Sequence, residues 1–220
     1  MEQFRELLIS LLTGLLTGFV ASMPIGPVNI TIVNEAARRG FLRAWLVGLG
    51  AVTMDAIYCG IGLAGFAQLF KSREVQAAME LVSFLLVTYL GIKYLRVKSI
   101  ERSSATAEVI ERKLHPHTAY MTGFVRVLGN PGVLVFWVMT CAVFLANEWV
   151  DPDTTSKVMC VLGVTLGAGL WFAGLSYAVS KRKGQLSEKA LVRMSQISGI
   201  CLLAGALVIF GKLVVLVARR

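Results

Sequence analysis

Histidine is almost missing from this sequence: its 220 residues include only His115 and His117. Both flank Pro116 in a polar stretch, so no apolar segment offers an imidazole for a metal centre, a proton relay or covalent catalysis. Acid is nearly as scarce where it would be costly. Of 13 acidic residues, only Asp55 falls midway along an apolar segment, which excludes a paired-aspartate site at that depth. The four cysteines, Cys59, Cys141, Cys160 and Cys201, form no C-x-x-C pair. That argues against a thiol redox carrier and for inert buried thiols. Nowhere do aromatics interleave with basic residues, so the net charge of +9 does not indicate a nucleic-acid partner. The basic residues occupy short gaps between apolar runs, as topology determinants beside anionic lipid do.

What is present is apolar. Hydrophobic residues make up 56% of the chain and the mean hydropathy is +0.70, against ~45–50% apolar in soluble domains. The fold class expected is an all-α integral membrane protein. Arg5, the apolar residues after it and Ala21-Ser22-Met23 faintly resemble a signal peptide. The apolar run continues past that point, so the reading is an uncleaved first span.

That first run extends over residues 7–33, longer than the ~20 residues of one span. It is interrupted by Met23-Pro24-Ile25-Gly26-Pro27-Val28-Asn29. Two prolines remove backbone N–H groups and the glycine between them admits unusual dihedrals, so the helix should break here. In hydrocarbon the freed backbone groups must be packed away or must line a cavity. A second break is expected at Gly129-Asn130-Pro131-Gly132. Gly18-Phe19-Val20 leads into the first break much as Gly123-Phe124-Val125 leads into the second. Paired breaks in two halves of a chain are a pointer to a transport site.

Six transmembrane helices are expected, over about 7–36, 42–69, 77–95, 119–146, 158–179 and 194–217, with breaks in the first and fourth. They form a single membrane domain: repeat one at about 7–97, a cytoplasmic loop at about 98–118, and repeat two at about 119–218. Laying Gly167-x-Gly169 on Gly48-x-Gly50 carries the repeat into the second helix of each half, with Tyr177 on Tyr58 and Gly174 on Asp55. Three helices per half give the halves opposite polarity, a 3+3 inverted repeat. The gaps after helices 1, 3 and 5 are the richer in Lys and Arg, with Arg38, Arg39, Arg43, Arg96, Lys98, Lys181 and Arg193 among them. Both termini are therefore expected outside, and a five-helix variant is the alternative.

Asp55 is the first candidate for function. An aspartate at the bilayer centre costs on the order of 2.5–3.5 kcal/mol on insertion scales and needs a partner or a cavity. A carboxylate in a low dielectric suits proton coupling or recognition of a substrate ammonium. The alternative is a structural ion pair, with Lys93 on the third helix as partner. Lys212 is read as snorkelling to the interface, and Arg126 as either snorkelling, the favoured reading, or attracting a carboxylate. Asn29 and Asn130, beside the breaks, can satisfy freed backbone groups or bind a zwitterionic ligand. The expected substrate and ion pathway is Pro24, Gly26, Pro27, Asn29, Asp55, Tyr58, Lys93, Asn130 and Pro131.

These residues carry a resemblance. Met23-Pro24-Ile25-Gly26-Pro27-Val28-Asn29, Gly40, Gly48-x-Gly50 with Asp55, and Gly62-Leu63-Ala64-Gly65 resemble the first-half signature of the LysE/RhtB superfamily of bacterial amino-acid exporters. Tyr89-Leu90-Gly91-x-Lys93-x-Leu95, Gly123-Phe124 with Asn130-Pro131, and Gly205 with Gly211 resemble its later helices. The resemblance implies secondary active efflux of amino acids or related small molecules across the bacterial inner membrane, driven by the proton motive force. Its partners would be that small-molecule substrate, protons and membrane lipid, with a second copy of the chain a further candidate. No cofactor or metal is implied. Many members have a single Pro-Gly-Pro where this chain has Pro24-Ile25-Gly26-Pro27. Exporters of basic amino acids carry a second intramembrane aspartate after the Asn-Pro of helix 4, where this chain reads Val133-Leu134-Val135-Phe136-Trp137. That departure favours a neutral substrate. A membrane enzyme lacks its reactive groups here, and a scaffold without transport leaves Asp55 and the two breaks unexplained.

Overall fold

The computed structural model describes residues 2–24, 26–66, 73–98, 118–181 and 188–218. The expected cytoplasmic loop, with His115 and His117, lies outside these residues except at its ends. So do Ile25 and the side chain of Lys212. Eight helices and no strand occur among the described residues. They are α1 (Glu2–Ser22), α2 (Pro27–Arg39), α3 (Phe41–Phe66), α4 (Arg73–Leu95), α5 (Ala119–Leu128), α6 (Pro131–Ala146), α7 (Thr154–Lys181) and α8 (Glu188–Ala218).

Both expected breaks are present, and each has a local cause. Pro27 and Pro131 stand in the first turn of α2 and α6, where a missing N–H leaves no helical bond unmade. Gly26 precedes α2 in an extended conformation, and the Asn130 side chain caps α6 by accepting from the Gly132 N–H at 3.1 Å. The first break falls where expected, between Ser22 and Pro27, but the helix before it begins earlier. Over Gln3–Ser22, α1 is by itself long and apolar enough to cross a bilayer, so α2 follows it as a separate helix. The second break is a 69° bend between α5 and α6. Phe41–Gly65 and Thr154–Lys181 are likewise long and apolar enough to cross, and the bent pair makes a fourth if counted as one. The chain is a multi-pass membrane protein. The helix α7 begins earlier than its apolar run suggests, because a polar group caps it. Ahead of it, Asp153 Oδ2 accepts from the Ser156 N–H at 2.9 Å.

At the centre α3 and α7 cross, burying Ala44, Val47, Ala51, Met54 and Leu63 from one and Val164, Ala168, Phe172 and Leu175 from the other. Around them α1 packs on α7, α5 and α6 on α3, and α4 on α8. The closest approaches are made at glycines, as expected where backbones meet in a membrane. A Cβ at Gly167 would strike the Leu15 carbonyl oxygen and lie 2.8 Å from the Phe19 nitrogen. One at Gly50 would strike the Tyr120 carbonyl oxygen and lie 2.8 Å from the Phe124 nitrogen. Likewise Gly18 abuts Val164 as Gly123 abuts Val47. The α1–α7 and α3–α5 crossings are therefore the same crossing made twice. By packing role Gly50 matches Gly167, where Gly169 was expected, and the same offset sets Asp55 against Phe172, where Gly174 was expected. The shared G-x-G spacing matched two glycine pairs that play different packing roles.

Contacts also fix relative directions. Gly14 lies against Cys160 and Gly18 against Val164, so α1 and α7 run parallel. Gly91 meets Gly199 and Leu203 while Gly199 reaches back to Leu95, so α4 and α8 run antiparallel.

Candidate functional site

The first break is closed by a knot of hydrogen bonds centred on Asn29. Its Nδ2 donates to the carbonyls of Ser22 at 2.9 Å and Pro24 at 2.6 Å, and its Oδ1 accepts from Trp171 Nε1 at 3.1 Å. Asn29 is only 3% exposed, so both its donors are spent on backbone that the prolines left unpaired. Of the two roles open to it from sequence, the structure gives it the backbone one. From α8, the Ser198 hydroxyl donates to the Val20 carbonyl at 3.1 Å. Arg126 is half-buried. Its Nη1 donates to the Pro27 carbonyl at 3.0 Å, tying the end of α5 to the start of α2 and one break to the other.

The second break is closed in the same manner. Gly129 and Asn130 N–H groups donate to Val125 at 2.8 Å and Val127 at 3.0 Å, and Tyr58 Oη on α3 donates to the Leu128 carbonyl at 3.3 Å. Tyr58 is buried and lies off the cavity described next. Pro131 is exposed and lies off it as well.

Between the breaks lies a cavity of about 250 Å³. Pro24, Gly26, Pro27 and Asn29 line it from the first break and Asn130 and Gly132 from the second; Asp55 and Lys93 bring opposite charges. Asp55 is buried on α3, and its Oδ1 accepts from Trp137 Nε1 on α6 at 2.9 Å. Among the described residues it forms no ion pair. Lys93 stands in the same cavity on α4 with its side chain exposed, so the structural Asp55–Lys93 pair considered from sequence is not formed.

Sequence reasoning passed over several wall residues: Trp137, Phe136, Tyr94 and Phe172. A signal did exist for the two tryptophans. An indole N–H placed deep in a membrane needs an acceptor, and Asp55 and Asn29 were the polar groups at that depth. The pairings span 82 and 142 positions, which no local pattern reveals. Nor did spacing reveal that three cysteines meet. Cys141 Sγ lies 3.7 Å from Cys59 Sγ, with Cys160 alongside, all fully buried, whereas Cys201 is exposed rather than buried. Among the described residues no group of His, Cys, Asp or Glu is arranged to hold a metal ion.

Two broken helices facing one charged cavity in a multi-pass bundle is a translocator's arrangement, and a family profile described as "LysE type translocator" matches residues 19–212. The chain belongs to this family. The chain is 27% identical over 194 residues to the "Putative amino acid efflux protein YcgF" of Bacillus subtilis, covering 87% of this chain and 90% of that protein. It is 24% identical to the "Chemotactic transduction protein ChpE" of Pseudomonas aeruginosa, over 73% of this chain and 77% of that one. It is also 26% identical to the "Uncharacterized membrane protein YahN" of Escherichia coli, over 69% and 67%. No solved structure matches. As a LysE-type translocator the chain is a transporter, and at the level of the family it is not an enzyme.

Proposed function

We propose that this translocator exports amino acids or related small molecules across the bacterial inner membrane, coupled to protons, and that the central cavity is its substrate site. The observation that carries the reading is convergence. Residues of both helix breaks, Asp55 and Lys93 line one cavity, and opposite charges on the walls of a small cavity match the two ends of a zwitterion. The efflux activity in the name of YcgF supports the same substrate class.

Alternating access in this reading comes from a 3+3 inverted repeat, with α1–α2, α3 and α4 as one half and α5–α6, α7 and α8 as the other. The duplicated glycine crossing favours it. So do the parallel run of α1 with α7 and the antiparallel run of α4 with α8, the directions that six spans require. Asp55 acts on proton or substrate, with Trp137 positioning it. Lys93 receives the substrate carboxylate, while Asn29, Tyr58 and Arg126 hold the breaks in shape.

The test is export from living cells. Cells expressing the full chain are loaded with amino acids by feeding dipeptides, and extracellular amino acids are measured with and without an uncoupler. Accumulation that exceeds the empty-vector control and collapses with the uncoupler is expected. Equal accumulation in both strains for every amino acid tried would contradict the proposal.

A further inference from the structure

A second cavity, of about 220 Å³, adjoins the first. The two share Ala21, Phe136 and Leu202 as walls. Beyond that divide the lining is almost wholly apolar, with Val87, Val143, Phe144 and Trp149 among it and Thr17 and Thr140 as the polar side chains. The Phe136 ring packs edge-on against Trp137 with centroids 5.4 Å apart, and Trp137 is the residue that holds Asp55. Charge recognition and apolar space thus lie on either side of one aromatic pair.

We infer that this apolar annexe receives the substrate side chain, that Phe136 sets the passage between the two spaces, and that the transported molecules are neutral amino acids with large aliphatic or aromatic side chains. The inference rests on the central cavity being the substrate site. The occupant is argued from adjacency: Ala21, Phe136 and Leu202 wall both the annexe and the charged cavity, so a zwitterion held between Asp55 and Lys93 places its side chain beside Phe136. Size points the same way. The central cavity alone is smaller than the ~300–1,000 Å³ of ordinary small-molecule sites, and the annexe brings the total into that range. Its walls exclude a second charge, because an unpaired ion there would lose its hydration without compensation. For apolar side chains, each methylene accommodated is worth on the order of tenfold in selectivity.

Two substitutions fill the annexe without touching the central cavity. Thr140→Phe does so from α6. Gly205→Phe does so from α8, where a Cβ meets no atom within 4 Å, so this variant starts from open space where the first replaces a buried side chain. Export of leucine, phenylalanine, alanine and lysine is measured from dipeptide-loaded cells at matched protein levels. The expected result is that wild type exports leucine and phenylalanine in preference to alanine and lysine, and that Gly205→Phe lowers leucine and phenylalanine export at least tenfold while alanine export changes less than twofold. Preferred export of alanine or lysine by wild type would overturn the annexe and leave the central site standing. So would parallel loss of leucine and alanine export in the variant, the behaviour of a space filled by lipid chains, or unchanged leucine export. If wild type exports none of the four, the central-site reading falls and this inference with it.

Discussion

Trp137 on α6 donates its indole N–H to the Asp55 carboxylate on α3 at 2.9 Å, joining the helix after the second break to the one membrane-embedded acid that lines the cavity. A hydrogen bond to a charged group contributes about 1.5–3 kcal/mol, and the partner left behind bears most of the cost when it is lost. Trp137→Phe keeps an aromatic ring but removes the donor. Export is expected to fall by about tenfold or more with near-normal protein in the membrane, measured as initial efflux rate against immunoblotted protein. Unchanged export would mean that the indole merely fills space.

Asn29 predicts a different outcome, because its side chain serves the backbone. Asn29→Leu preserves volume and strands the Ser22 and Pro24 carbonyls, at about 1–3 kcal/mol for each buried group. The purified protein in detergent should lose thermal stability by several degrees, and its level in the membrane should fall. Full stability with abolished export would instead assign Asn29 to the ligand.

The duplicated crossing can be tested at three glycines. A methyl at Gly167 or Gly50 meets the backbone of the opposing helix, whereas at Gly174 nothing lies within 4 Å. Gly167→Ala and Gly50→Ala should each destabilise by about 1–3 kcal/mol through overpacking. Gly174→Ala should be neutral or slightly stabilising, since alanine is the better helix former by ~1 kcal/mol. Thermal unfolding in detergent distinguishes them, and equal effects at all three positions would contradict the crossing geometry.

Topology is tested by reporter fusions. With both termini outside, a reporter active only in the cytoplasm should be active after Lys98 and inactive after Arg220. Activity at both points would contradict six spans.

Much of this was legible in the sequence, for physical reasons that differ by residue. Pro24, Gly26, Pro27 and Pro131 act locally, so their breaks could be read directly, and Asp55 stood out because a central carboxylate in an apolar helix is costly wherever it points. Tyr58 and Arg126 were harder. Tyr58 satisfies the Leu128 carbonyl freed by a break and Arg126 reaches the Pro27 carbonyl at the other break, across 70 and 99 positions of sequence, and a side chain's long-range acceptor leaves no mark on its own neighbourhood. The repeat register went astray at Gly167 because glycine spacing alone does not say which glycine meets the opposing backbone. Trp137 and Phe136 read as ordinary apolar residues until α6 was placed beside α3.

The central claim is that Asp55 acts on substrate or proton inside the cavity and is not there to neutralise Lys93. The measurement that tests it most directly is export by Asp55→Asn and by the Asp55→Asn, Lys93→Met pair, each normalised to protein in the membrane. Asparagine keeps the volume and an acceptor for Trp137 but removes the charge. Because no ion pair joins Asp55 to Lys93 among the described residues, the single variant should insert normally with export at background, and the double variant should stay inactive. Restored export in the double variant would show that Asp55 only balanced a buried lysine, and would contradict the account.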